Sequence, residues 1–372
     1  MTPIESETVW MQRALALAEG AVGLSEPNPR VGCVIVAADG RTLLGEGHTQ
    51  AAGSAHAEVM ALQSARAGGR DVRGATAHVT LEPCSHHGRT SPCCDALIAA
   101  GLGRVVVAVS DPNPAVNGQG VARLRAAGIQ VSWAQPALAD AARELNIGFF
   151  SRMQCGRPWV RMKLAASLDG RTALNNGVSQ WITGEAARTD GHAWRKRAGA
   201  VLTGAGTVLA DNPQLDVRLV PTQHQPLRCV VDARLDTPAD ARLFDVADAP
   251  VLFYAAEPAA ARVAALQARG AEVCALPDGH GRVDLAAVLA DLARRQINEL
   301  HLEAGQRLNA AWLNAGLVDE LLLYQAPMLV GAGQGLAALG PYTALTEASR
   351  WRYHAMDRIG HDLRLLLRPA PG

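Results

Sequence analysis

Leu81-Glu82-Pro83-Cys84-Ser85-His86-His87-Gly88-Arg89-Thr90-Ser91-Pro92-Cys93 decides how the first half of this chain is read. Ala75 to Leu81 has the apolar, β-branched character of a strand. Ser91-Pro92 suits a helix N-cap and first position, so Cys93 to Ala100 reads as a helix closed by Gly101. One thiol therefore ends a strand and another opens a helix. Upstream, His56-Ala57-Glu58 opens a further helix, expected from Ala55 to Ala67 and stopped by Gly68-Gly69. One imidazole (His56) and two thiolates (Cys84 and Cys93) form a three-ligand zinc set. Such a set keeps a fourth position for water, which marks a catalytic site, whereas structural sites close the shell with four protein ligands. The metal acidifies that water, and Glu58 is placed to take its proton and pass it to a leaving group. Helix N-termini at both ligand segments favour the thiolate forms.

Working outward, the pattern is one of alternating helices and strands. Glu7 to Ala21 has helical spacing of apolar residues and is stopped by Pro27-Asn28-Pro29. Val31 to Ala37 and Thr42 to Gly47 read as strands about an Asp39-Gly40 turn. A strand at Arg104 to Ser110, a helix at Gly120 to Ala127, a strand at Ile129 to Trp133 and a helix around Leu138 to Asn146 complete an α/β layered domain. After Gly156-Arg157-Pro158 the alternation restarts with a strand from Trp159 to Ala165. The boundary is expected near residue 152, giving domains 1–152 and 153–372. In the second, strands are expected at Ala200 to Thr203, Arg228 to Asp232, Val251 to Tyr254, Glu299 to Glu303 and Glu320 to Pro327. Helices are expected at Glu185 to Arg197 behind a Thr183 cap, Glu257 to Arg269 and Leu285 to Arg295.

A His-x-Glu followed by Pro-Cys and a later Cys is the order found in zinc-dependent nucleobase deaminases. Here the two thiols are separated by a long insert in place of Cys-x-x-Cys, which brings in other candidate ligands. Cys94 is turned about 100° from Cys93 along a helix, so it reads as a packed thiol. His86 and His87, in the extended insert with Arg89, read as substrate contacts in preference to ligands, with solvated loop residues as the nearly equal alternative. A lone His or Cys is ordinarily a packed or solvated residue, but four residue types in the required order on the required elements outweigh that reading.

The 372 residues suit more than one domain at about 150 residues each. With 49% hydrophobic and 19% charged residues, the chain is expected to fold throughout. Its 35 basic and 35 acidic residues cancel, so no global field draws it to nucleic acid or an anionic membrane. Neither a secretory leader nor a membrane-spanning run is expected, and the expected location is cytoplasmic. Seven cysteines, an odd number, argue for metal binding or catalysis over a disulfide framework.

With its insert, the quoted stretch resembles the bifunctional riboflavin-biosynthesis deaminase-reductase family. Pro27-Asn28-Pro29-Arg30-Val31-Gly32-Cys33, His56-Ala57-Glu58-Val59 and Asp111-Pro112-Asn113-Pro114 look like its other motifs. So do Lys163 to Gly170, Ser179-Gln180-Trp181-Ile182-Thr183, Thr207 to Pro213 and Glu303-Ala304-Gly305 in the second half. The resemblance implies a cytidine-deaminase-like three-layer domain followed by a dihydrofolate-reductase-like one. It implies zinc-dependent deamination of a diaminopyrimidinone carrying a phosphoribosylamino group, then reduction of the ribosyl group to ribityl with NADPH. One zinc per chain would sit on His56, Cys84 and Cys93, with Glu58 shuttling protons and Asn28 and His86 touching substrate.

Read without the family, the second half offers only Gly204-Ala205-Gly206 and Gly331 to Gly335, neither a full dinucleotide fingerprint. With it, Lys163, Asp211 and Glu303 resemble the polar groups around the reacting ribose carbon. Ser179, Arg195, Leu215 and Arg218, along with Glu303, resemble substrate positions, the arginines suiting a phosphate through their planar fork. Ala165, Trp181, Thr207, Asp211 and Gly305 resemble cofactor positions. Ala233 stands where a serine contacting the cofactor phosphate is expected, so NADPH selectivity is less secure than nicotinamide use. The partner is expected to be a small phosphoribosyl pyrimidine, with homo-oligomerisation left open. The alternatives are a zinc nucleoside or nucleic-acid deaminase with an accessory domain, and a silent binding protein on the same scaffold.

Overall fold

The computed structural model describes residues 3–85, 91–114, 116–247 and 249–371. The chain divides into two compact units after Gly156. The first contains α1 (Pro3–Glu19), β1 (Gly32–Val36), β2 (Leu43–His48), α2 (Ala57–Ala67), β3 (Thr76–Val79), α3 (Cys93–Ala99), β4 (Arg104–Val107), α4 (Gln119–Ala126), β5 (Gln130–Trp133), α5 (Pro136–Leu145) and α6 (Ile147–Cys155). Helix α6 lies beyond the last helix expected in this half and carries the chain through residue 152. The unit ends where Gly156, at φ 68°, closes that helix. Pairing in the β1–β2 hairpin stops at Val36 and Leu43, so the turn is longer than Asp39-Gly40 alone suggests. The Asp39 carboxylate organises it by accepting from the amides of Arg41 and Thr42.

Its sheet has the order β2-β1-β3-β4-β5, with β1 antiparallel to both neighbours and β3, β4 and β5 parallel. Strand β1 is buried on both faces. Cys33, Val34, Ile35 and Val36 are fully covered, each aliphatic contributing about 1.5–3 kcal/mol by leaving water. One feature of β2 sets the height of the later site. A Cβ on Gly45 would stand 2.2 Å from the Ala61 carbonyl, and one on Gly47 would stand 2.4 Å from Met60 Cβ. Only glycine lets α2 lie this close on the sheet, and α2 begins with the His56-Ala57-Glu58 segment.

The second unit contains β6 (Trp159–Ser167), β7 (Arg171–Leu174), α7 (Glu185–Arg197), β8 (Ala200–Gly204), α8 (Ala205–Asp211), β9 (Leu227–Val231), β10 (Val251–Ala255), α9 (Ala260–Gln267), β11 (Glu272–Ala275), α10 (Leu285–Arg294), β12 (Glu299–Leu302), α11 (Gln306–Asn314), β13 (Glu320–Ala326), β14 (Gly333–Gly335), β15 (Trp351–Ile359) and β16 (Asp362–Pro369). Its main sheet is nine-stranded, in the order β11-β10-β9-β8-β12-β6-β13-β16-β15. The first seven strands run parallel, and β16 and β15 add antiparallel at one edge. Strands β8 and β10 are buried throughout, as a sheet covered on both faces requires. Helix α9 starts at Ala260, later than expected, and Glu257, the residue before Pro258, is disfavoured from helical backbone. Gly184, not Thr183, caps α7, and its amide donates to Asp362.

The two faces of this sheet differ. Val160, Met162, Leu300, Leu302 and Leu202 pack into an apolar core with Val288, Leu292 and Trp312. The opposite face carries a buried ion cluster beneath α7. Arg161 reaches Glu299 at 2.7 Å and Glu320 at 2.5 Å, and Arg197 and Arg368 complete the two carboxylates. The Arg161 guanidinium lies 4.3 Å from the Trp194 ring centre. Among the described residues, no helix is long and apolar enough to cross a membrane.

Candidate active sites

In the first unit the three expected ligands converge. His56 precedes α2 in extended conformation, Cys84 follows β3, and Cys93 begins α3. His56 Nδ1 lies 3.7 Å from Cys84 Sγ and 3.3 Å from Cys93 Sγ, and all three donor atoms fall within 4.8 Å of one another. Tetrahedral zinc, with bonds of about 2.0 Å to nitrogen and 2.3 Å to sulfur, separates such donors by about 3.5 Å. The donor set therefore fits zinc in both chemistry and spacing. The first amide of α3, on Cys93, donates to Cys84 Sγ at 3.3 Å. Hydrogen bonds from Cys93 and His56 hold the Cys84 thiol down to about 4, whereas facing that thiolate and being buried pushes Cys93 up. Bonding to Cys84 raises His56.

Glu58 is the second residue of α2, in its first turn, and is almost fully buried. Burial, followed by the charge of Cys84, pushes its carboxyl up to about 7. A carboxyl that exchanges its proton near neutrality is what general acid–base work requires. Cys94 is a packed thiol, donating to the carbonyls of Pro83 at 3.3 Å and Gly120 at 3.5 Å. His86 and His87 lie outside the described residues. Asn28 is half-buried in the turn after α1, its amide closed on the Ser25 carbonyl.

Glu82, quoted above only as part of a motif, has a structural task of its own. Its buried carboxylate accepts from the amides of Gly118 at 3.0 Å and Val121 at 3.1 Å, tying the ligand-bearing loop to the start of α4. Asp111, on the neighbouring segment, is pushed up to about 7 by burial. A carboxylate immediately before Pro-Cys was the available signal for the first of these.

The second unit gathers its polar groups past the carboxyl end of β12, with Lys163 from the middle of the longer β6 beside them, and the carboxyl ends of open parallel sheets are where ligands bind. Glu303 follows β12, and Lys163 Nζ approaches its Oε2 at 4.0 Å. Arg195, from α7, places its fork on both oxygens of Glu303, with Nη2 3.0 Å from Oε2, and donates to the Asp216 carbonyl at 2.8 Å. Arg195, Lys163 and His301 hold Glu303 well below the usual carboxylate range despite its burial. Burial keeps Lys163 below the ordinary lysine value, with Glu303 opposing.

Other expected positions are less closely joined. Arg195 does not present its fork to a phosphate as expected, because Glu303 already occupies it. Arg218 is exposed, and its side chain pairs with Asp216. Gly305 and Thr207 are neighbours, since a Cβ on the glycine would lie 3.8 Å from Thr207 Oγ1. Trp181 is exposed and faces the Arg188 guanidinium at 4.6 Å. Leu215 buries its side chain and holds a left-handed backbone at φ 56°. Asp211 ends α8, its carboxylate makes no hydrogen bond among the described residues, and it is raised by burial. Ala165 is half-buried beside Tyr324 in the sheet register, and Ser179 is half-buried in the segment before α7.

Comparison with known proteins matches both units. Residues 4–109 fit the sequence profile of the cytidine and deoxycytidylate deaminase zinc-binding region, and residues 158–365 fit that of the RibD C-terminal domain. The riboflavin biosynthesis protein RibD of Escherichia coli (strain K12) is 44% identical over 377 residues, covering 96% of this chain and 98% of that protein. RibD of Haemophilus influenzae is 39% identical, covering 98% and 97%. Acinetobacter baumannii RibD superposes with a TM-score of 0.88 at 39% identity, covering 99% and 100%. The diaminohydroxyphosphoribosylaminopyrimidine deaminase/5-amino-6-(5-phosphoribosylamino)uracil reductase of Thermotoga maritima gives 0.87 at 33% identity, covering 99% of each chain.

Proposed function

The chain belongs to the RibD family of bifunctional riboflavin-biosynthesis deaminase-reductases, and from that premise we propose how its residues divide the two reactions. The protein is a zinc-dependent deaminase and an NADPH-dependent reductase acting on a small-molecule substrate. The first unit replaces the ring amine of 2,5-diamino-6-hydroxy-4-(5-phosphoribosylamino)pyrimidine with oxygen, consuming water and releasing ammonia. The second reduces the ribosyl group of the product to ribityl. The observation that carries the first assignment is the convergence of His56, Cys84 and Cys93 beside a buried Glu58.

His56, Cys84 and Cys93 hold the zinc. When bound, it supplies the Lewis acidity that makes water nucleophilic near neutral pH. Glu58 takes a proton from the attacking water and delivers one to the departing amine, a transfer suited to a carboxyl near 7. Asn28 and His86 contact the substrate. In the second unit NADPH, when bound, would supply the hydride for reduction of the ribosyl group. Lys163 supplies the accompanying proton, Glu303 orients the sugar, and Arg195 fixes Glu303. Ala165, Trp181, Thr207, Asp211 and Gly305 border the cofactor. Ser179, Leu215 and Arg218 border the substrate, with Arg218 serving its phosphate. Balanced charge supports a small-molecule partner over nucleic acid, and the expected location is cytoplasmic.

The test follows ammonia and NADPH absorbance separately after adding the aminopyrimidine phosphate. Ammonia should appear without NADPH, absorbance should fall only when NADPH is present, and a zinc chelator should abolish the first without stopping reduction of already deaminated substrate. Ammonia release that persists in fully zinc-free protein would overturn the assignment.

A further inference from the structure

His301 is fully buried on β12 and faces the same side of the sheet as Glu299 and Glu303. In register it lies between Val201 of β8 and Arg161 of β6. Its Nε2 is 3.2 Å from Glu303 Oε1, in an approach poorly aligned as a hydrogen bond, and neither ring nitrogen has another partner. A neutral imidazole has one N–H, and burying a donor without an acceptor costs about 1–3 kcal/mol. With an acceptor beside Nε2 alone, the proton belongs on Nε2. Burial disfavours a second proton, as do the Arg195 and Arg161 guanidiniums, with Glu303 pulling the other way. The ring is thus a neutral donor beneath the carboxylate.

We propose that His301 is a positioning residue for the reduction, fixing through its Nε2–H the carboxylate of Glu303 that orients the ribosyl substrate. The inference rests on the reading of Glu303 given above. Arg195 grips both carboxylate oxygens from α7, which sets the plane of the group but leaves its approach from the sheet side to His301. Glu303 then presents its Oε2 side, with Lys163, to the sugar. Hydrogen bonds of this kind are often long in an unliganded enzyme and tighten in the substrate complex.

The test compares H301L, H301Q and H301N with E303Q in the full chain, measuring reduction of deaminated substrate, NADPH affinity and thermal unfolding. The Gln amide reaches the Nε2 position, whereas Asn is too short. H301L and H301N should lower kcat of reduction about tenfold while changing KM for the pyrimidine and Kd for NADPH by less than about threefold, and H301Q should recover most of kcat. If H301L fails to fold, the Gln and Asn pair carries the test. Equal rates in H301Q and H301N, or a wild-type kcat in folded H301L, would overturn the proposal. An E303Q protein that reduces at the wild-type rate would instead remove the reading of Glu303 on which it rests.

Discussion

Gly120→Ala tests whether the zinc ligands depend on a backbone contact that touches none of them. Gly120 is the second residue of α4, and helix propensity alone says that alanine there gains up to about 1 kcal/mol. Packing argues the reverse. An added Cβ would stand 2.0 Å from the Pro83 carbonyl oxygen, well inside any real contact, so one side must move by more than about 1 Å. Neither side is free to do so. Pro83 immediately precedes Cys84, its carbonyl receives the Cys94 thiol, and Glu82 ties that strand end to the amides of Gly118 and Val121. Overpacking against fixed backbone costs roughly 1–3 kcal/mol or more, which outweighs the propensity gain. The displaced group is the backbone beside a zinc ligand, so zinc affinity should fall about 10–100-fold and deamination with it. The assay is chelator competition for zinc, with ammonia release and thermal unfolding on the same preparation. Reduction of deaminated substrate by the same chain serves as the internal control. A variant as stable as the parent or more so, with unchanged zinc affinity, would refute the reasoning.

Glu58→Gln should keep its zinc but lose deamination by about 10²–10⁴-fold, with reduction of deaminated substrate retained; ammonia release and metal content measured together check it. Arg161→Met leaves Glu299 and Glu320 short of their buried cation and should cost about 3–5 kcal/mol, read as a fall in the urea midpoint of the second unit. His192 is held down to about 4 by burial, then by Arg195 and Arg218, from an ordinary 6.5. The unfolded chain binds that proton below about 6.5 and the native chain only below about 4, so stability is unaffected above this window and falls as pH drops through it. His192→Asn, which keeps an acceptor for the Arg218 amide, should flatten the pH dependence of the urea midpoint between those values; an unchanged slope would show that other groups carry it.

Much of the alternation was legible because buried strands must be apolar on both faces: Val251 to Ala255 and Ala200 to Gly204 could hardly be read otherwise. Strand β15 was not legible, since it lies at the sheet edge with most of its residues exposed, and nothing forces an apolar alternation on Trp351 to Ile359. Helix α11 was hidden behind Gly305, which reads as a turn until its place at a helix start is seen. His301 and Glu299 alternate with leucines in Glu299-Leu300-His301-Leu302, a polar face on a central strand that was an available but unread signal of a buried network. Which groups would answer them could not be read, because Arg195, Arg197 and Arg161 come from distant elements.

The sequence by itself picked out His56, Cys84 and Cys93 as a zinc donor set with Glu58 beside it, and the existence of two α/β units, because those readings rest on residue type, order and period. The family resemblance, and not the local pattern, pointed to Lys163, Arg195 and Glu303, which the fold brings together. Tertiary structure decided what they do to one another. It spends the Arg195 fork on Glu303 instead of leaving it for a phosphate, and it buries Glu58 deeply enough to push its carboxyl up to about 7. It also sets the ligand loop against Gly120. Charge, burial and close approach between residues far apart in the chain are properties of packing, and no local pattern encodes them.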